Sequence, residues 1–158
     1  MLGTITEQVM AKIHETSAAD CRLVLLVGPD DAANTKVLKA IKEKTNAPLV
    51  NVSEELSERL LGFGERQRIA YVPRFLDDIL SRLDSDLILL DQTHILFDAF
   101  LRQDPVGLFQ KVAKTWQVVA TWPGVIQEGY LTYSTPGNLD YRSYPLDDLV
   151  YVEMVQEK

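Results

Sequence analysis

The stretch Leu23-Val24-Leu25-Leu26-Val27-Gly28-Pro29 places an unbroken apolar run directly before a turn signal. An apolar run of strand length without polar alternation is typical of a β-strand that is covered on both faces, as in a parallel sheet. Leu87-Ile88-Leu89-Leu90-Asp91 repeats this pattern and ends in a carboxylate, and Val118-Val119-Ala120-Thr121 repeats it again before Pro123-Gly124. These runs predict the buried strands of a layered α/β fold.

Amphipathic segments between these runs predict helices that cover the sheet. The predicted helices span Thr6 to Glu15, Val37 to Lys44, a segment with Ser53 as its N-cap, a segment across Phe75 to Leu80 with Pro73 near its first turn, and Asp104-Pro105 to about Lys114. Further strands are predicted at Leu49 to Val52, in a hairpin around Leu131 to Ser134, and at Leu149 to Val155. Strands that alternate with helices favour a three-layer fold with a mainly parallel central sheet.

The composition limits the classes of protein to which the chain can belong. A length of 158 residues suits one domain over residues 1–158. The net charge of -7 excludes a uniformly basic nucleic-acid surface, so any DNA contact needs a local patch. Cys21 is the only cysteine and cannot form an internal disulfide. Because neither a leader-like apolar segment nor a run of membrane-spanning length is visible, we expect a cytoplasmic protein without membrane contact.

The loop after the first predicted strand is the first candidate site, because ligands of such folds bind at the carboxyl ends of the strands. The phosphate-binding loop has the consensus G-x-x-x-x-G-K-[ST]. Gly28 and the hydroxyl of Thr35 match it, whereas Ala33 and Asn34 replace the second glycine and the lysine. Lys36 lies two residues too late, and only a bulged loop would bring it to a phosphate.

Two further residues of this loop oppose phosphate binding. Asp30 and Asp31 would each repel a phosphate by roughly 1 kcal/mol at about 4 Å in water, and by more in a dry site. Taken alone, the motif therefore favours an ordinary strand-to-helix turn.

The end of the Leu87–Asp91 run is the second candidate site. An apolar strand that presents an Asp to the magnesium shell is the second motif of NTPases, so Asp91 and Thr35 are the candidate metal ligands. Gln92 stands where motor ATPases of this class have a Glu, and an amide can orient water but cannot accept its proton. Thr121 fits either a sensor of the γ-phosphate or a capping hydroxyl at a strand end. His94 lacks partners at metal-ligand spacing, which favours a loop histidine satisfied within the protein.

A series of short segments carries a family resemblance. It consists of Leu89-Leu90-Asp91, Ile95-Leu96-Phe97-Asp98, Asp104-Pro105, Val119-Ala120-Thr121-Trp122-Pro123-Gly124, Leu131-Thr132-Tyr133 and Asp140-Tyr141-Arg142. The series resembles the BrxF family, the small P-loop proteins of type-3 bacteriophage-exclusion (BREX) systems, and the similarity extends over roughly Leu23 to Tyr151. The resemblance implies an AAA-like P-loop NTPase fold, ATP and Mg²⁺ as ligands, and antiphage defence beside other BREX proteins in the bacterial cytoplasm. The departures at Ala33 and Asn34 predict weak ATP binding and impaired hydrolysis.

Four arginines, Arg59, Arg66, Arg68 and Arg74, flank Gly62-Phe63-Gly64. They suit contact with DNA or with a neighbour's phosphate, although the interleaved glutamates favour ordinary solvated helix faces. In a homo-oligomer, Arg66, Arg68 and Arg74 would meet Asp30, Asp31 and Asp91 of the next copy.

Three functions remain open at this stage. The first is a BREX protein that acts by partner binding or self-assembly, with little or no ATP turnover. The second is an active AAA-like ATPase whose site is completed on oligomerisation, through Lys36 or a neighbour's arginine. The third is a small nucleic-acid-binding module that uses the arginines between Arg59 and Arg74.

Overall fold

The computed structural model describes residues 2–154. Its helices are α1 Leu2–Thr16, α2 Asp31–Thr45, α3 Val52–Leu60, α4 Glu65–Ser81 and α5 Pro105–Val112, with short 3-10 helices at His94–Phe97 and Ala99–Leu101. Its strands are β1 Leu23–Val27, β2 Leu49–Asn51, β3 Leu87–Asp91, β4 Gln117–Trp122, β5 Val125–Gln127, β6 Tyr130–Tyr133, β7 Arg142–Pro145 and β8 Tyr151–Glu153. Within residues 2–154, none of the helices combines the length and the apolar character that a membrane crossing requires.

The central sheet contains five strands in the order β2-β3-β4-β1-β8, and every pair of neighbours is parallel. Successive residues of β1 point to opposite faces. Leu25 and its alternate neighbours pack against α3, α4 and α5, whereas Val24 and Leu26 pack against α1 and α2. Both faces are covered, which explains the unbroken apolar runs and confirms the predicted α/β layers with a parallel sheet.

A second sheet, with the antiparallel order β5-β6-β7, is joined to the first by an aromatic cluster. Phe97 stacks on Tyr133 at 4.1 Å between ring centroids and meets Trp122 edge-on at 4.8 Å. Trp122 also meets Tyr144 edge-on at 5.7 Å, and its Nε1 donates a hydrogen bond to the Thr132 carbonyl at 2.9 Å. Aromatic pairs of this geometry stabilise beyond their buried area, so the cluster fixes the second sheet on the core.

The first turns of α2 and α3 differ from the prediction. Helix α2 begins at Asp31 rather than near Val37, because Asp30 caps it. The predicted N-cap Ser53 was wrong, since Asn51 caps α3 by accepting the Glu54 N–H at 3.0 Å. Asparagine and serine are both good N-cap residues. The Ser53 hydroxyl, however, donates to the Gln92 carbonyl at 2.6 Å.

The start of α5 matches the prediction in position, with Asp104 as N-cap and Pro105 in the first turn. The Asp104 carboxylate does not cap the backbone, however, because it accepts a hydrogen bond from the Tyr144 hydroxyl at 2.6 Å. Burial and this bond raise the pKa of the Tyr144 phenol. The bond between Tyr144 and Asp104 therefore anchors the second sheet to the start of α5.

Pro73 lies inside α4, so its predicted place near the first turn was wrong. A proline lacks the N–H that would bond to the carbonyl four residues earlier, here that of Ile69. The side-chain Nε2 of Gln103 donates to this carbonyl at 3.0 Å and to the Leu101 carbonyl at 2.6 Å. The amide of Gln103 thus replaces the missing donor and holds the Ala99–Leu101 segment on α4.

We expect Gln103→Ala to lower the free energy of unfolding by about 1–3 kcal/mol, because the Ile69 carbonyl loses its donor. Urea denaturation followed by circular dichroism measures the loss. In a Pro73→Ala background, the new N–H of residue 73 bonds to Ile69 instead, so the same change at Gln103 should cost less. Equal losses in the two backgrounds would show that Gln103 does not compensate for the proline.

Candidate functional site

The carboxyl ends of β1, β3 and β4 lie side by side, because β4 separates β1 from β3 in the sheet. This edge brings together Gly28, Thr35, Asp91, Gln92 and Thr121, which come from four segments of the chain. These residues of the predicted site therefore lie close together in the structure. Its contacts determine whether it can hold a nucleotide.

The amino end of α2 is closed by the chain itself. Only Gly28, Pro29 and Asp30 separate β1 from α2, so Ala33 and Asn34 lie in the helix instead of an open loop. The Asp30 carboxylate accepts the Ala33 N–H at 3.2 Å, and the Asp30 carbonyl accepts the Asn34 N–H at 3.0 Å. A helix amino end attracts anions through such N–H groups. Here the Ala33 N–H binds the carboxylate of Asp30, a residue of the same chain.

Asn34, which occupies the position of the lysine, points into the protein and is 1% exposed. Its Nδ2 donates to the Gly28 carbonyl at 2.9 Å, while its Oδ1 is the one buried side-chain oxygen or nitrogen without a partner in residues 2–154. A Cβ on Gly28 would lie 2.9 Å from this Oδ1 and 2.8 Å from Met154. Gly28 is thus enclosed between Asn34 and Met154. The Asn34 side chain points inward and does not reach a phosphate outside the loop.

Thr35, Asp91 and Gln92 form a hydrogen-bonded cluster. The Thr35 hydroxyl donates to Asp91 Oδ2 at 2.7 Å and accepts from Gln92 Nε2 at 3.3 Å. Asp91 is only 5% exposed, so this bond satisfies a carboxylate that is withdrawn from water. The cluster joins α2 to β3, and it places the side chain of Gln92 on Thr35.

The backbone beyond β3 is fixed by hydroxyl groups. Gln92 has a left-handed backbone with φ of 51°, and its carbonyl accepts the Ser53 N–H at 2.9 Å and the Ser53 hydroxyl at 2.6 Å. The Thr93 hydroxyl donates to the Thr121 carbonyl at 2.8 Å. Thr121 is 3% exposed, and its own hydroxyl faces the Leu90 carbonyl at 3.5 Å. Of its two predicted roles, this contact resembles that of a capping hydroxyl.

A pair at the rim of the site escaped the sequence prediction. His94 Nε2 lies 2.8 Å from Asp31 Oδ2, so the histidine is satisfied within the protein by the first residue of α2. Lys36 follows Thr35 in α2 with an exposed side chain, and within residues 2–154 no hydrogen bond or ion pair joins it to the cluster. Asp91 is buried and therefore not open to an arginine of another copy.

The four arginines do not form one free patch. Three of them are engaged on their own chain: Arg59 with Asp78 at 3.2 Å, Arg68 with the Phe63 carbonyl at 2.8 Å, and Arg74 over the Tyr71 ring at 5.4 Å. Arg66 is exposed near the start of α4. Contact with DNA would therefore have to displace or share these interactions.

The residues at this edge fit Mg²⁺ and ATP unequally. Thr35 and Asp91 are oxygen ligands of the kind Mg²⁺ prefers. Residues 2–154 contain no cluster of three or more His, Cys, Asp or Glu side chains suited to a metal ion. A triphosphate fits less well than Mg²⁺, because Asp30 already binds the Ala33 N–H and Asn34 supplies no cation.

Comparisons with known proteins leave the site to be interpreted from its own geometry. No family model, no curated protein and no solved structure matches this chain. Any function proposed for the chain therefore depends on the contacts of its residues and on the resemblance of its sequence.

We expect Thr35→Val to lower the free energy of unfolding by about 1–3 kcal/mol, because a buried acceptor of Asp91 loses its donor at nearly constant side-chain volume. Thr35→Ser is the matched control, since it keeps the hydroxyl and should retain most of the stability. Urea denaturation of both variants measures the difference. A valine variant as stable as the serine variant would contradict a stabilising bond to Asp91.

Proposed function

We propose that this chain is a BREX-type antiphage-defence protein that acts by binding partners, including copies of itself, with weak ATP binding and little or no turnover. One observation carries the proposal: the amino end of α2, where a phosphate would bind, is capped by the Asp30 carboxylate. An ATP phosphate would have to displace this carboxylate and approach Asp31 as well.

The strand order supports a P-loop-like origin. Strand β4 separates β1, which precedes the candidate phosphate loop, from β3, which ends in Asp91. The bond between Thr35 and Asp91 joins what is left of the two motifs across that strand. Because Asp91 is buried, this bond stabilises the fold whether or not a nucleotide is bound.

The segments that resemble BrxF lie partly at the candidate site, which includes Asp91 of β3 and Thr121 of β4, and partly away from it. They include β3, the 3-10 helix His94–Phe97, β4 and β6. Their aromatic residues Phe97, Trp122 and Tyr133 connect the two sheets.

The chemistry of the edge also favours low turnover. Gln92 cannot accept a proton from water, and its amide donates to Thr35. Asn34 is turned towards Gly28 and brings no positive charge. A chain that keeps the fold without these functions is best explained by its surfaces.

We expect ATP to bind the isolated chain no more tightly than about 0.1 mM, a binding free energy weaker than about 5.5 kcal/mol. Isothermal titration calorimetry with and without Mg²⁺ measures this affinity. Asp30→Ser is the matched control, because serine keeps an N-cap while one repulsive charge is removed, and it should bind ATP no worse than the wild type.

Low-micromolar binding of ATP by the wild-type chain would contradict the proposal. Steady ATP hydrolysis that disappears in Asp91→Ala would contradict it as well, because it would show a working site at this edge.

A further inference from the structure

Strand β2 is an edge strand of the central sheet, because within residues 2–154 only β3 pairs with it. The Leu89 N–H donates to the Pro48 carbonyl at 3.0 Å, which fixes how β2 pairs with β3. In a parallel ladder, successive residues of an edge strand direct their backbone groups alternately towards the neighbouring strand and away from it. Pro48 and Val50 therefore bond to β3. The N–H and C=O of Leu49 and the N–H of Asn51 face outward.

These outward groups are open to a further strand. In the part of the chain that the structure describes, no turn, cap or side chain bonds to the backbone of Leu49 or to the Asn51 N–H. Leu49 is half-buried and Asn51 is exposed. Unpaired N–H and C=O groups of an edge strand are the groups to which an extended segment of another chain bonds. Because β2 has only three residues, such a segment also needs pockets for its side chains.

A cleft lies on each face of the sheet beside β2, and Leu49 lines both. The α2 cleft, which α2 borders, has a volume of about 450 Å³. The α3–α4 cleft, on the opposite face, has a volume of about 320 Å³. Side chains of an extended strand point alternately to opposite faces. Neighbouring side chains of a strand added to β2 would therefore enter the two clefts in turn.

The α2 cleft favours an acidic side chain. Its charged residues are Lys39, Lys42 and Glu43. All three are exposed, and within residues 2–154 none takes part in an ion pair. Two lysines against one glutamate leave an excess of one positive charge, although the whole chain carries -7. A carboxylate of an added strand would therefore meet an unpaired ammonium group on this face.

The α3–α4 cleft favours an apolar side chain. Val50, Ile79 and Leu83 supply its apolar lining. Its charged lining consists of two carboxylates and two guanidinium groups, those of Glu54, Glu55, Arg59 and Arg82. Both guanidinium groups are already paired with Asp78, each at 3.2 Å. With Asp78 included, the carboxylates exceed the guanidinium groups by one, so a second acidic side chain is disfavoured on this face.

A second copy of the chain does not suit this edge strand. If β2 paired antiparallel with β2 of another copy about a two-fold axis, the same faces of the two sheets would lie side by side. Lys39 and Lys42 of each copy would then approach those of the other, and like charges across an interface oppose binding. The charges therefore favour a segment of a different protein.

We infer that edge strand β2 binds an extended segment of a partner protein in which acidic and apolar side chains alternate. The acidic side chain enters the α2 cleft, the apolar one enters the α3–α4 cleft, and the backbone bonds to Leu49 and Asn51. The inference rests on the proposed function in that the chain acts by binding partners. It does not involve the amino end of α2, so tight ATP binding would refute the proposed lack of chemistry and leave this binding untouched.

An NMR titration of the isotope-labelled protein with the end-blocked peptide Thr-Glu-Val-Glu-Val-Thr tests the added strand. We expect saturable binding with a dissociation constant below about 1 mM. The amides of Leu49 and Asn51 should shift most, because they gain acceptors. The matched control peptide Thr-Lys-Val-Lys-Val-Thr should bind at least about fivefold more weakly, since its ammonium groups approach Lys39 and Lys42.

Charge reversal tests the assignment of the α2 cleft. The double variant Lys39→Glu/Lys42→Glu should prefer the lysine peptide to the glutamate peptide. The matched control Lys36→Glu/Lys44→Glu makes the same change of charge with exposed lysines of α2 that do not line the cleft, and it should keep the preference of the wild type. Circular dichroism verifies that both variants are folded.

Three results would overturn the inference. The first is a glutamate peptide that shows no saturable binding to the wild type at up to about 1 mM. The second is binding that leaves the amides of Leu49 and Asn51 unchanged, because that would show an electrostatic contact without an added strand. The third is the same peptide preference in the two double variants.

Discussion

The backbone N–H groups at the amino end of α2 need acceptors, and the rest of the site depends on which acceptor they have. Asp30 provides it within the chain, so the turn after β1 is short and Ala33 and Asn34 are helical. Asn34 is then directed at Gly28, and Thr35 is placed on Asp91. At this edge of the sheet, the Ala33 N–H is therefore already bonded to a carboxylate of the chain, and Asn34 is directed inward.

The sequence predicts those features of the structure that depend on a local pattern of apolar and polar residues. The bounds of β1 and β3 follow from apolar runs with both faces covered, and the proximity of Thr35 and Asp91 follows from the edge that parallel strands share. The cap at Asp30 is not evident from the sequence, because an aspartate at this position is compatible both with a helix cap and with a repulsive charge beside a phosphate. The bonds of Gln103 to Ile69 and of Ser53 to Gln92 join distant segments, which no local pattern reveals.

The contacts of the buried edge fit the proposed weak ATP binding. Hydroxyl and amide groups at the edge bond to one another, which stabilises the fold and leaves little capacity for a ligand. These contacts stabilise the fold whether or not a nucleotide binds at the edge.

Backbone amide NMR during an ATP titration with Mg²⁺ tests the closed amino end of α2 most directly. The Asp30→Ala variant removes the cap and serves to identify the resonances that respond to the acceptor of Ala33. In the wild type, the amides of Ala33 and Asn34 should keep their chemical shifts, because Asp30 remains their acceptor. Saturable shifts confined to these amides would show that a phosphate replaces the carboxylate, and would contradict the closed site.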